Sequence, residues 1–336
     1  MKDTQIVLST KAFFIVLVSL AGIWLLWMIK SVVIVIFLAL IFALALEPAV
    51  IWLRKYKVPH GIAVIISVLA LALILIGLAT VAIIPFIQQI QILSDRFPQY
   101  LDGIVRIPGM EAYAEKFNEG LFTQLSQAGG NIVGATLGAF SGALSAILVL
   151  VFTIYILLDF DNLRKMFVGF FPKGQQEKAL KTLLIVERKL GGWLRGQLAL
   201  MVIIGVTTYI GLILLGVNFA LALAVIAGLL EIVPILGPIV SVIPAAIVGF
   251  AISPILGFAI IGLYIIIQQL ENHLIVPKVM QKAIGFNPLV TIVALMVGGK
   301  LLGLVGAILA IPFTIIITEV IKYVLNWEKR PGSTAS

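Results

Sequence analysis

Cysteine is absent from this chain of 336 residues, and histidine occurs only twice. Disulfides, thiolate metal sites and cysteine nucleophiles are therefore excluded, and two histidines are too few to build a histidine metal site. Charged residues are scarce too: they make up 11% of the chain, against about 25% in soluble domains. Hydrophobic residues reach 62%. This balance excludes an ordinary soluble domain and favours a chain that lies in a lipid bilayer.

Short motifs of the common enzyme classes are missing as well. The sequence holds no GxxxxGK[ST] phosphate loop, no HExxH zinc motif and no GxSxG nucleophile motif, so the chemistry of those motifs is not expected. The apolar segments offer neither a convincing Ser–His pair nor paired aspartates for intramembrane proteolysis. We therefore expect a protein that is not an enzyme and that has no cofactor and no metal.

Long apolar runs dominate what is present. They cover 12–29, 31–53, 61–87, 136–158, 198–217, 219–234, 239–252, 255–270 and 289–321. Backbone in hydrocarbon must satisfy its own hydrogen bonds, so these runs predict helices. The sequence thus predicts an all-α, polytopic integral membrane protein with about seven or eight transmembrane helices.

Two of the later runs do not fit a simple crossing. The 239–252 run has 14 residues, which is short for a span, whereas the 289–321 run has 33 and is interrupted by Gly298-Gly299-Lys300. Half-helices or re-entrant hairpins explain such lengths, and they are tolerated where they are buried or line a cavity. We expect broken or re-entrant helices in the C-terminal half, with 239–252 and 289–300 as either full spans or hairpins.

Loop charges predict the orientation. The net charge is +8, and its basic residues lie in loops between apolar runs, which indicates topology and lipid headgroups rather than nucleic acid. Segment 159–197 has eight basic residues against four acidic ones, whereas 88–135 has three against five. The positive-inside rule therefore places 54–60, 159–197 and both termini in the cytoplasm, and 88–135 outside. The cytoplasmic membrane is the expected location.

These observations divide the chain into six segments. They are N-terminal transmembrane helices at 1–87, an extracytoplasmic amphipathic helical segment at 88–135, a transmembrane helix at 136–158, a cytoplasmic amphipathic segment at 159–197, a C-terminal transmembrane core with broken helices at 198–325 and a cytoplasmic tail at 326–336. The inner amphipathic segment has two interpretations: a helix lying at the membrane surface, or a gate that covers the transport pathway.

A glycine ladder enters the fourth apolar run. Gly130, Gly134, Gly138 and Gly142 recur every four residues, which lines one helix face and lets another backbone approach closely. The pattern predicts tight helix packing, either within the chain or between subunits.

The strongest candidate site is a break in the apolar region after residue 230. Glu231 stands there with Pro234, Gly237 and Pro238, and two prolines so close together cannot lie in an unbroken helix. A carboxylate within the membrane costs roughly 2.5–3.5 kcal/mol. Such a residue is retained for a function, or else the helix ends there and Glu231 lies in water at the interface.

Further polar residues follow in the C-terminal half. The candidates for substrate or ion binding are Glu271, Asn272, Asn287, Pro288, Gly298, Gly299, Lys300 and Pro312. The alternative for the 268–273 group is an ordinary helix end at the headgroups. Lys300 either extends to water from a re-entrant tip or pairs with Glu231 or Glu271.

Together these motifs resemble the autoinducer-2 exporter family of permeases. The resemblance rests on residues 230–238 with Pro244-Ala245, on 271–278 and 287–289, and on 298–312, and it covers about residues 12 to 325. It implies homo-oligomers and secondary transport, with some members exporting autoinducer-2 and others acting as sodium–proton antiporters.

The sequence therefore predicts a secondary exporter of a small polar solute of the autoinducer-2 kind, driven by protons or sodium. Glu231 is the leading carboxylate for the coupling ion and Glu271 the second. A sodium or lithium–proton antiporter is the first alternative. A non-transporting oligomeric membrane scaffold or channel is the second.

Overall fold

The computed structural model describes residues 28–78, 80–81, 132–280 and 288–328, together with Leu17, Trp24 and Leu25. Ten helices are assigned there: α1 Lys30–Lys55, α2 His60–Leu78, α3 Ile132–Leu158, α4 Phe160–Gly169, α5 Gln176–Leu214, α6 Ala220–Leu230, α7 Leu236–Ile252, α8 Pro254–Leu270, α9 Val276–Val279 and α10 Pro288–Glu328. No strand occurs in these ranges. The prediction of an all-α membrane protein is confirmed.

Several of these helices are long and apolar enough to cross a membrane. Within the described residues there are five such helices, and six if α3 and α4 count as one broken span. The expected outer segment, 88–135, lies almost wholly outside the described residues, as does most of the first apolar run. A multi-pass membrane protein follows from the described helices alone.

Helix α5 is far longer than one membrane crossing. Its 39 residues give a length of about 58 Å, whereas the hydrocarbon core is about 30 Å thick. The boundary expected at 197/198 is therefore a change of composition inside one continuous helix. The charged N-terminal half of α5 extends beyond the apolar half that crosses the bilayer.

Ion pairs join the charged end of α5 to α4 and α10, and join α4 to α1. Arg164 of α4 lies 3.0 Å from Glu47 of α1 and 2.7 Å from Glu187 of α5. Lys189 of α5 lies 2.8 Å from Glu319 of α10. These contacts hold α4, the C-terminal part of α1 and the C-terminal part of α10 at one end of the bundle.

Helices α7 and α8 form a tight antiparallel hairpin. Ser253 between them is extended, and its side chain accepts a hydrogen bond from Leu256 N, with Pro254 at the first helical position. This cap and proline start α8 afresh instead of continuing α7. The arms touch at Gly249 and Gly257, where an added Cβ would collide with the facing chain. Each arm has 17 residues, or about 25 Å.

Helix α10 is also folded back on itself. Gly303 has φ 62° and ψ −142°, which no helix contains, and a positive φ favours glycine. On either side of it, the backbones of Gly298 and Gly306 touch, and a Cβ on Gly298 would lie 3.3 Å from Ala310 Cβ. A straight helix would separate residues 298 and 310 by about 18 Å. The 289–321 run is thus a hairpin, bent at Gly303 and not at Gly298-Gly299-Lys300, where the sequence suggested an interruption.

Candidate functional site

The break between α6 and α7 spans residues 231–235. Ile235 has a positive φ of 71°, and the amide of Gly237 donates a 2.9 Å hydrogen bond to Val233 O. Gly237 has no room for a side chain, because an added Cβ would overlap the backbone at Leu230. Gly237 and Pro238 belong to the first turn of α7, where a missing N–H costs no helical hydrogen bond. The predicted break is present, but it ends at Ile235, so Pro238 lies inside the next helix and not in the break.

Glu231 begins this break and is fully buried. Its residue surface is 1% exposed, which excludes the interpretation of a side chain in water at the interface. Gln197 Nε2 of α5 donates a hydrogen bond to the backbone oxygen of Glu231. Neither carboxylate oxygen of Glu231 has a hydrogen-bond donor among the described residues. A buried polar atom without a partner carries a large free-energy cost, so this arrangement needs an explanation.

Glu271 faces Glu231 from a distorted turn after α8. Residues Glu271–Ile275 form a π-helical turn, and Pro277 follows two residues later. A proline ring clashes with the carbonyl four residues earlier, which a widened turn relieves. Glu271 is 4% exposed, and Gln268 Nε2 donates a 3.2 Å hydrogen bond to its Oε2.

The two carboxyl groups are direct neighbours whose charges interact. Two negative charges side by side in an apolar interior repel each other strongly, because little solvent screens them. A bound proton or a small cation removes this repulsion, and a proton on one carboxyl group also supplies the donor that Glu231 lacks. The side-chain oxygen of Gln197 is likewise buried without a hydrogen-bond partner among the described residues. The described residues contain no group of three or more His, Asp, Glu or Cys side chains placed to hold a metal ion.

The hairpin of α10 packs directly on the break beside Glu231. Val233 lies in one apolar cluster with Leu295, Ala307 and Ala310, which come from both arms of the hairpin. The predicted break after residue 230 and the 289–321 run therefore meet in space. Gly298 contributes by allowing the two arms to touch.

Three other candidate residues are not buried with this pair of carboxylates. Lys300 is exposed, three residues before the bend at Gly303, with no ion pair to Glu231 or Glu271. Asn272 is exposed and accepts a 3.4 Å hydrogen bond from Gln268 Nε2. Gly299 faces open space. Of the two alternatives that the sequence raised, Lys300 therefore fits the first, a position near the tip of a hairpin, and not a pair with Glu231 or Glu271.

Three further positions complete the predicted set. Pro312 is buried inside the second arm of α10. Pro288 is the first residue of α10, which suits a residue that has no N–H to donate. Asn287 lies outside the described residues.

Only Gly142 of the glycine ladder has surroundings that the structure describes. No described atom lies within 4 Å of a Cβ built on Gly142. The surroundings of Gly130, Gly134 and Gly138 lie outside the described side chains. Close backbone contact instead occurs between Gly205 of α5 and Gly228 of α6, so the predicted packing of the ladder stays a prediction.

Sequence reasoning missed Gln197. It is completely buried and contacts the break through its side-chain nitrogen. Its only signal is its place at the start of an apolar run, where a polar residue is usually an ordinary helix position near the headgroups. Recognising it requires knowing that α5 continues unbroken through the boundary.

Comparison with known proteins agrees with this architecture. A family model described as AI-2E family transporter matches residues 13–326. The "Putative transport protein YrrI" of Bacillus subtilis (strain 168) is 24% identical, covering 96% of this chain and 94% of its own length. The "Putative transport protein YhhT" of Escherichia coli (strain K12) is 26% identical over 84% of this chain and 82% of its own.

A third relative has a more specific name. The "Sodium-lithium/proton antiporter" of Halobacillus andaensis is 27% identical over 308 residues, which are 84% of this chain and 87% of its own length.

 The family model and the three relatives are all described as transporters or transport proteins. The chain therefore belongs to the AI-2E family of transporters.

Proposed function

We propose that this protein is a secondary transporter in which Glu231 and Glu271 bind the coupling cation, a proton or Na⁺. The observation that carries the proposal is the buried carboxyl pair, with both oxygens of Glu231 lacking a donor among the described residues. Broken helices beside a carboxylate expose backbone groups that bind ions in transporters. The transported solute is a small polar molecule of the autoinducer-2 kind, and its direction is outward across the cytoplasmic membrane.

Exchange of Na⁺ or Li⁺ for protons is the second candidate function. The same carboxyl pair favours it, because two carboxylates can hold either one cation or a shared proton. The relative from Halobacillus andaensis bears the name of such an antiporter. In this version the cation is itself the substrate, and no organic solute is required.

Transport in proteoliposomes tests both candidates through Glu231→Gln. This change keeps the shape of the side chain and removes its ability to gain and lose charge. We expect the variant to lose accumulation driven by a proton or sodium gradient while retaining downhill exchange of solute. Glu177→Gln is the matched control, since Glu177 is an exposed acid that pairs with Lys181 at the surface.

The outcomes separate the candidates. Gradient-driven uptake of Na⁺ without any organic solute, lost in Glu231→Gln, supports the antiporter. Accumulation of an organic solute that an ion gradient drives in the parent, but not in Glu231→Gln, supports the exporter. Full gradient-driven activity in Glu231→Gln would rule out the coupling role of this residue.

A further inference from the structure

A cavity of about 620 Å³ lies between α4 and α5, away from the carboxyl pair. Four helices build its wall, which includes Leu40, Phe167, Leu183, Val186, Val320 and Tyr323. The lining of the cavity does not include Glu231, Glu271 or Gln197. The cavity is thus a separate feature from the proposed transport site.

The chemistry of the wall selects an apolar occupant. Among its charged lining residues, Arg164 and Glu187 pair with each other at 2.7 Å. A bound water needs two to four polar partners, and a polar solute would lose its hydration here without compensation. Hydrocarbon fills such a space at no comparable cost.

The position of the cavity places it at the membrane surface. Helix α4 turns 77° away from α3, so α4 lies across the end of the bundle. Met166 and Phe170 on its apolar face line the cavity, and Phe170 is 80% exposed. An amphipathic helix of this kind lies at the boundary between headgroups and acyl chains. The open side of the cavity therefore faces the upper part of the lipid chains.

Charge around the cavity favours a negative headgroup. Segment 159–197 carries eight basic and four acidic residues. The Lys178 ammonium lies 4.7 Å over the ring of Tyr323, which is part of the wall, and donates a 3.1 Å hydrogen bond to the backbone oxygen of Tyr323. Basic segments beside a membrane attract anionic lipids.

We propose that the cavity binds one acyl chain of an anionic phospholipid from the surrounding membrane, with the headgroup phosphate beside Lys178. The chain fills the apolar space between α4 and α5, and the glycerol backbone lies at its opening. This lipid site holds α4 against α5 and is independent of the identity of the transported solute.

Native mass spectrometry of the full-length protein in detergent tests this proposal. The probes are phosphatidylglycerol, phosphatidylcholine with the same oleoyl chains, and free oleate. Thr182→Trp and Val186→Phe fill the cavity, because both residues line it. Leu184→Trp is the matched control on the exposed side of the same helix. We expect either filling variant to bind phosphatidylglycerol about tenfold more weakly than the parent, and the control to bind it normally.

A charge variant tests the headgroup contact. Lys178→Gln should abolish the preference for phosphatidylglycerol over phosphatidylcholine, while Arg188→Gln, exposed on the same helix, should keep it. Equal binding of the two phospholipids by the parent would overturn the anionic headgroup. Binding of oleate alone would assign the site to a free fatty acid. Unchanged binding of phosphatidylglycerol in both filling variants would overturn the proposal, because the lipid would then bind outside the cavity.

Discussion

Gln197 Nε2 donates a hydrogen bond to the backbone oxygen of Glu231, joining α5 to the break between α6 and α7. Both residues are buried, and the carbonyl belongs to the last turn before the chain leaves its helix. Water does not reach this carbonyl, so the donor from Gln197 cannot be replaced by solvent. The position of the Glu231 backbone is therefore set by a side chain 34 residues earlier.

Gln197→Ala should destabilise the protein and misplace Glu231. The change leaves a buried carbonyl without a donor, at a cost of about 1–3 kcal/mol. We expect a lower thermal midpoint in detergent and weaker gradient-driven transport. Gln176→Ala is the control, because Gln176 bonds Phe171 O at the far end of α5. Equal stability and transport in Gln197→Ala and the parent would show that this hydrogen bond has no such role.

Gly298→Ala should open the hairpin of α10. A Cβ at this position overlaps the facing backbone at Gly306, and overpacking of this kind costs about 1–3 kcal/mol. Gly299→Ala is a matched control one residue away, since its Cβ meets nothing within 4 Å. The measurement is the thermal midpoint of each variant in detergent. A Gly298→Ala protein as stable as Gly299→Ala would argue against the folded-back arrangement.

Arg164→Gln should loosen α4 from α1 and α5. Arg164 is the shared partner of Glu47 and Glu187, and the Glu187 side chain is only 10% exposed. Loss of hydrogen bonds to charged groups costs about 1.5–3 kcal/mol. We expect faster proteolysis of the 159–175 region, measured by limited trypsin digestion. Lys181→Gln removes an exposed pair with Glu177 and should leave the digestion rate unchanged.

Orientation can be measured with single cysteines, because the natural chain contains none. Gly174→Cys should react with an impermeant thiol reagent only from the cytoplasmic side, since Gly174 lies in an exposed turn before α5. Gln124→Cys should react in intact cells, as the charge pattern predicts. Labelling of Gly174→Cys in intact cells would contradict the predicted orientation and place this turn outside.

Sequence patterns predicted the helical class and the break near Pro234, and they singled out Glu231, which is buried at that break; its functional role stays a prediction. Apolar composition and proline chemistry act locally, so they can be read along the chain. The meeting of Glu231 with Glu271 could not be predicted, because it depends on how α5 and α8 pack on the break. The bend in α10 was predicted about five residues too early. The sequence indicated an interruption at Gly298 and Gly299, whereas the residue with positive φ is Gly303.

The unbroken course of α5 also has a mechanical consequence. Lys189 binds α10 and Gln197 holds the Glu231 carbonyl, and the two are separated by about 12 Å of helix axis. This helix contains no proline at which it would bend sharply. Because α5 is continuous from Lys189 to Gln197, we expect a displacement of its charged end to shift the backbone of Glu231.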